Sequence, residues 1–162
     1  MRRILGIGTL VLLIGMMLVA GTRTIAAQEA TPTAAAGGGV TKQELGRGQS
    51  AVAPGRDLIL QERTFAPGGD SGAHPAPGPV VLSVASGEID FYVVQGAALL
   101  TRAGATTQET LAAGSDTELK PGDSVFYDQG VVHQLINEGS EPAVTIEARL
   151  NPSEATAATP TP

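Results

Sequence analysis

Between Thr41 and Leu150 the chain is written in short runs of alternating apolar and polar residues, cut apart by turn residues. Ile89, Phe91 and Val93 alternate with Glu88, Asp90 and Tyr92, while Val144, Ile146, Ala148 and Leu150 alternate with Thr145, Glu147 and Arg149. Successive side chains of a strand point to opposite faces, so each pattern gives one face to a core and the other to water. Further strands are predicted over residues 58–65, 80–85, 98–103, 124–127 and 133–137. The breaks carry Pro67-Gly68-Gly69, Ser86-Gly87, Ala103-Gly104 and Lys120-Pro121-Gly122-Asp123. No segment sustains a helical period. Strands of this length at this spacing predict an all-β sandwich or barrel.

The ends of the chain follow other rules. Arg2 and Arg3 precede an uncharged, mostly apolar run from Ile4 to Ala20, and small residues follow around Thr24, Ile25, Ala26 and Ala27. That is the layout of a secretory signal. The run is also at the lower limit of what crosses the roughly 30 Å of bilayer hydrocarbon, so an uncleaved anchor helix stays open beside it. Either places the domain outside the cytoplasmic membrane, secreted or anchored facing outward. Residues 29–39, EATPTAAAGGG, and 151–162, NPSEATAATPTP, hold too little apolar surface to offset the entropy of ordering them. The predicted organisation is therefore a signal peptide or membrane anchor (1–27), a linker (28–40), a β domain (41–150) and a disordered tail (151–162).

A chain of 162 residues holds one domain plus these attachments. With 3% aromatic residues and no Trp, the core must be built from Val, Leu, Ile and Ala. The absence of Cys excludes thiol catalysis, a disulfide framework, Cys-ligated zinc and a lipid-bearing N-terminus. The formal charge is −6, and the acids are scattered, which reads as solubility; no basic patch marks a nucleic-acid surface.

The candidate chemistry rests on the two histidines of the chain, His74 and His133. Gly68 is followed by five residues and His74, and Gly87 closes that segment. Further on, Gly122, Gly130, His133 and Asn137 stand at a second set of fixed spacings, with Asp128 between them. The stretches APGGDSGAHPAPGPVVLSVASGE and LKPGDSVFYDQGVVHQLINEGSEP resemble the two motifs of the cupin superfamily, in its small single-domain type 2 form. The resemblance implies a double-stranded β-helix, or jelly-roll barrel. It also implies a divalent transition metal (Mn, Fe, Ni or Zn) held by an H-x-H pair, a Glu and a distant His. Two imidazoles two residues apart share one face of a strand, and three nitrogens with one carboxylate suit such a metal. Here the second His position is Ala76 and the Glu position is Val80, and neither coordinates anything. His74 and His133 remain as the candidate metal or ligand contacts. A third donor has to come from Glu62, Asp70 or Asp128, of which the last two lie in turn-like stretches. Gly68, Gly87, Gly122 and Gly130 are read as turn residues, and Asn137 as a structural residue of the turn after His133.

Three functional readings follow. The first is an exported barrel that binds a small molecule, with His74 and His133 as polar contacts in an apolar pocket. The second is a small metal-dependent enzyme, of dioxygenase or isomerase type, as the resemblance implies. The third is an oligomeric structural protein, a homodimer paired through its sheets. No Ser-His-Asp arrangement and no distinguished pair of carboxylates supports a metal-free catalytic site.

Overall fold

The computed structural model describes residues 33–34, by backbone alone, and 38–153. The signal or anchor segment and the last nine residues lie outside the described residues. Among these the chain forms twelve strands and no helix. They are β1 (Thr33–Ala34), β2 (Val40–Gln49), β3 (Arg56–Phe65), β4 (His74–Pro75), β5 (Val80–Ser86) and β6 (Ile89–Gln95). The others are β7 (Ala97–Thr101), β8 (Glu109–Ala112), β9 (Asp116–Leu119), β10 (Ser124–Tyr127), β11 (Val132–Ile136) and β12 (Ala143–Pro152). Every pairing is antiparallel, in a long sheet of order β1-β2-β3-β12-β5-β10-β7-β8 and a short one of order β4-β11-β6-β9. Beyond the pairs β1-β2, β2-β3 and β7-β8, neighbours in sequence are not neighbours in a sheet, and the chain crosses between the two sheets as in a jelly-roll barrel.

The core lies between the sheets. Leu82, Leu100, Val125 and Tyr127 come from the long sheet, and Ile89, Phe91, Val93, Leu119 and Leu135 from the short one. β6 follows its written pattern, with Ile89, Phe91 and Val93 buried and Asp90 and Tyr92 on the other face. β12 reverses the intuitive assignment. Ala143, Thr145 and Glu147 point inward and are buried, whereas Val144, Ile146, Ala148 and Leu150 lie on the outer face. Across that outer face, Leu60, Ala148, Val81, Phe126 and Leu99 stand opposite one another on five successive strands. Leu60, Val81 and Phe126 are exposed, and Leu58, Val81, Phe126, Ala148 and Leu150 share a shallow apolar groove with Pro79.

The long sheet holds a strand that the sequence pattern did not mark and runs past Leu150 at its C-terminal end. β2, a polar run with no apolar alternation, pairs with β3 through a bulge between Glu44 and Gly46. At the other end β12 continues to Pro152, so Asn151 and Pro152 belong to the sheet rather than to a disordered tail. Ser153 is buried beyond them, and its hydroxyl donates to Asp57 at 2.7 Å.

Candidate functional site

β4 is only two residues long and pairs with β11 so that His74 stands directly opposite His133. Cross-strand partners share a face, and the two rings meet with centroids 4.6 Å apart. His133 is buried and His74 half-buried. Each ring is held the same way: Nδ1 of His74 lies 2.8 Å from the Gly72 carbonyl, and Nδ1 of His133 lies 3.4 Å from the Val131 carbonyl. A carbonyl oxygen only accepts, so these contacts put a proton on each Nδ1, and in a neutral ring the lone pair is then on Nε2. Tyr127 packs on His133 at 4.3 Å between centroids, and Phe91 stacks on it at 5.8 Å. Burial, and then the nearby His74, push the His133 pKa down to about 4, so this imidazole is neutral at neutral pH.

The residues around this pair do not complete a metal centre. Ala76 and Val80 are buried and apolar, and Val80 faces inward between Arg149 and Tyr127 in the sheet register. Asp70 accepts the Gly72 N–H at 2.7 Å and both of its oxygens take the Gln134 amide, at 2.8 and 3.0 Å. Asp128 is exposed and turns back on the Gln129 N–H. Glu62 opposes Ile146 and so lies on the outer face of the long sheet. Among the described residues no three His, Asp or Glu side chains gather into a group able to hold a metal. Two imidazoles fall short of the three protein ligands that a catalytic metal usually keeps, so the family's metal does not fit this donor set.

The remaining motif residues shape turns. Gly68, Gly87, Gly122 and Gly130 all have positive φ, between 70° and 89°. At Gly87 the need is also steric, since a Cβ there would lie 2.5 Å from the Pro142 carbonyl oxygen. Asn137 is fully buried. Its Nδ2 donates to the Phe65 and Glu141 carbonyls, at 2.9 and 2.8 Å, and its Oδ1 accepts the Gly139 N–H at 3.0 Å. It thereby ties the end of β3 to the loop between β11 and β12. A cleft of about 340 Å³ beside it is lined by Gly87, Glu88, Asn137, Gly139, Ser140 and Glu141, away from both histidines.

A second polar group, missed from the sequence, occupies the inner face of β2, β3 and β12. Arg63 donates to Glu147 at 3.0 Å, with both side chains 2% exposed. Arg149 lies 3.5 Å from the other Glu147 oxygen and donates to Gln61 at 2.9 Å. The Arg63 guanidinium sits 5.0 Å over the Phe65 ring. These charges are close enough to act on the aromatic cluster: burial and the Glu147 carboxylate hold the Tyr127 hydroxyl well above its ordinary pKa, while Arg63 and Arg149 oppose that shift. The one available signal was polar and charged residues in mid-strand at alternate positions, Gln61 and Arg63 on one strand and Thr145, Glu147 and Arg149 on another.

Comparison with known proteins agrees with this architecture. The family model of the cupin domain matches residues 61–148, more than half of the chain. No curated protein matches it. Among solved structures, a cupin domain from Bordetella pertussis is 20% identical, with 70% of this chain and 94% of that one covered and a TM-score of 0.40. A cupin superfamily protein from Desulfitobacterium hafniense is 17% identical, covering 74% and 84%, with a TM-score of 0.45. The Drosophila melanogaster CENP-C cupin domain is 17% identical, covering 75% of each chain, with a TM-score of 0.48. The family match, over a jelly-roll barrel with His74 and His133 brought together at its two motifs, makes this chain a member of the cupin superfamily, of type 2.

Proposed function

We propose that this protein is an exported small-molecule-binding barrel, in which His74 and His133 contact a ligand directly rather than through a metal. The observation that carries this reading is the paired histidines: both Nδ1 atoms are tied to backbone carbonyls and neither Nε2 has a partner among the described residues, with Ala76 and Val80 apolar where two more ligands belong. A site of this kind, mostly apolar walls with a few placed polar atoms, is built to orient a small organic molecule. Tyr127 and Phe91 supply the walls. Export draws on the signal-like first 27 residues.

The experiment is the metal content of the full-length protein, purified without a histidine tag or chelator, beside a His74→Ala, His133→Ala variant. Metal below a tenth of stoichiometry, unchanged after incubation with Mn, Fe, Ni or Zn, is the expected result. Near-stoichiometric metal that disappears in the variant overturns it in favour of a metal-dependent enzyme.

A second reading, assembly of two copies through the long sheet, is favoured by the apolar row Leu60, Ala148, Val81, Phe126 and Leu99. This row is uncharged on a chain whose net charge is −6, so pairing there brings no like-charged side chains of the row into direct contact. Sedimentation of the wild type against Phe126→Lys tests it: a dimer that the substitution dissociates supports pairing, and a monomeric wild type removes it.

A further inference from the structure

We propose that the inner face of β2, β3 and β12 binds the carboxylate of a small organic acid, held by Lys42, Arg63 and Arg149 with the acid's body toward Tyr127 and the histidines. The proposal rests on the binding-barrel reading above and gives it a ligand class.

The register assembles the site. Lys42 stands opposite Arg63, Arg63 opposite Thr145, and Gln61 opposite Glu147, while Arg149 follows two residues later on the same face. Lys42, Arg63 and Arg149 thus lie around Glu147, whose two oxygens are already engaged by Arg63 and Arg149, while Glu44, opposite Gln61 on the same face, is taken by Arg47. Lys42 makes no ion pair with any described carboxylate. Burial, and then Arg63 and Arg149, hold the Lys42 pKa below its ordinary value. Cations gathered out of water with too few counter-charges are costly unless another anion joins them.

Hydrogen bonding points to the same kind of partner. The buried polar atoms without a partner among the described residues include Arg63 Nε, Arg149 Nε, Gln61 Nε2 and Thr145 Oγ1, all on this face. The first three only donate, and the hydroxyl can donate as well. Arg63 itself is 2% exposed and Thr145 is fully buried. Four adjacent donors ask for a group made of acceptors, and guanidinium groups match the planar oxygens of a carboxylate.

The flanking row selects for a hydrocarbon body. Arg149 opposes Val80, and Val80 opposes Tyr127, so the aromatic cluster lies two strand spacings, roughly 10 Å, along the sheet. An acid with an apolar or aromatic body reaches from the arginines toward Tyr127. Inorganic phosphate fills only the charged end.

The test uses the full-length protein at constant ionic strength, titrated with acetate, benzoate, phenylacetate, the uncharged benzamide and inorganic phosphate, with Tm and heat of binding as readouts. Benzoate or phenylacetate is expected to bind saturably and benzamide at least tenfold more weakly. Lys42→Gln and Arg149→Gln, at half-exposed and 15% exposed side chains, are each expected to weaken the carboxylate at least tenfold. The proposal is overturned if no carboxylate binds, if phosphate binds tighter than every carboxylate, or if binding survives both substitutions. His74→Ala separates the two readings. Carboxylate binding that is untouched by His74→Ala but lost in Lys42→Gln keeps this site and sinks the histidine-contact reading. Binding lost in His74→Ala alone, with Lys42→Gln and Arg149→Gln unaffected, does the reverse.

Discussion

Arg63 and Glu147 meet at 3.0 Å inside the barrel, each side chain 2% exposed, on neighbouring strands. Glu147 is the carboxylate that compensates Arg63 and Arg149 in that interior. Replacing it by Gln leaves those charges unpaired in a desolvated site, which typically costs about 3–5 kcal/mol. Glu147→Gln is therefore expected to lower the urea midpoint strongly. Removing both partners with Arg63→Met and Glu147→Leu takes two charges out together and is expected to recover part of the loss, Arg149 alone staying without its carboxylate. Equilibrium unfolding of the three proteins at one pH checks the order.

The neutral state of His133 gives the fold a pH dependence. Unfolded, its imidazole takes up a proton near pH 6.5; folded, it does so only near 4, because burial and His74 disfavour the charge. Between those values the unfolded state binds more protons, so stability is full above about pH 6.5 and falls as pH drops toward 4. Below 4 both states are protonated and this contribution stays lost. The window amounts to about 3 kcal/mol. His133→Phe, a ring of similar size between Phe91 and Tyr127, is expected to flatten that part of the profile relative to wild type. Urea midpoints from pH 7.5 to 4 for both proteins isolate it from the carboxylates they share; parallel profiles would remove His133 as the cause.

Ala76→His with Val80→Glu supplies the two donors that the family pattern has at these positions. The pair is expected to raise Ni affinity at least tenfold, and adding His74→Ala is expected to abolish the gain. Val80→Glu alone is expected to do little, because Val80 stands opposite Arg149 in the register and a carboxylate there gains a guanidinium partner instead. The larger side chains replace buried apolar ones, so a stability loss of about 1–3 kcal/mol accompanies the gain. Metal titration followed by unfolding measures both. An unchanged affinity would mean that residues 76 and 80 do not converge on the histidines.

What the sequence made legible was periodicity, and what it hid was which side faces in. Ile89, Phe91 and Val93 declare both strand and core face because the alternative face carries Asp90 and Tyr92. Val144, Ile146 and Ala148 show the same period, yet the structure buries Thr145 and Glu147, because Arg63 on β3 compensates the acid and leaves the apolar face to cover the outside. A pairing between residues far apart in the chain is invisible to a local pattern. The same reason hid β2, whose polar residues make a strand only because β3 lies beside them, and β8 and β9, which carry a single buried apolar residue each, Leu111 and Leu119. The two histidines were marked by their place in two stretches that resemble the family's motifs. Lys42, Gln61 and Arg63 had no motif to mark them.

The glycines of the two motifs share a positive φ but not the same surroundings, which separates two costs. At Gly130, with φ 84°, nothing lies within 4 Å of an added Cβ, so Gly130→Ala meets only the left-handed backbone penalty of about 1–2 kcal/mol. At Gly87, with φ 70°, the Cβ also falls 2.5 Å from the Pro142 oxygen and 2.7 Å from the Ala143 Cα, which are backbone atoms at the start of β12. Relief requires moving the strand that carries Thr145 and Glu147. Gly87→Ala is therefore expected to lose more stability than Gly130→Ala by at least ~1 kcal/mol, read from their urea midpoints. Equal losses would mean that the turn before β6 yields freely and that Gly87 serves only its φ angle.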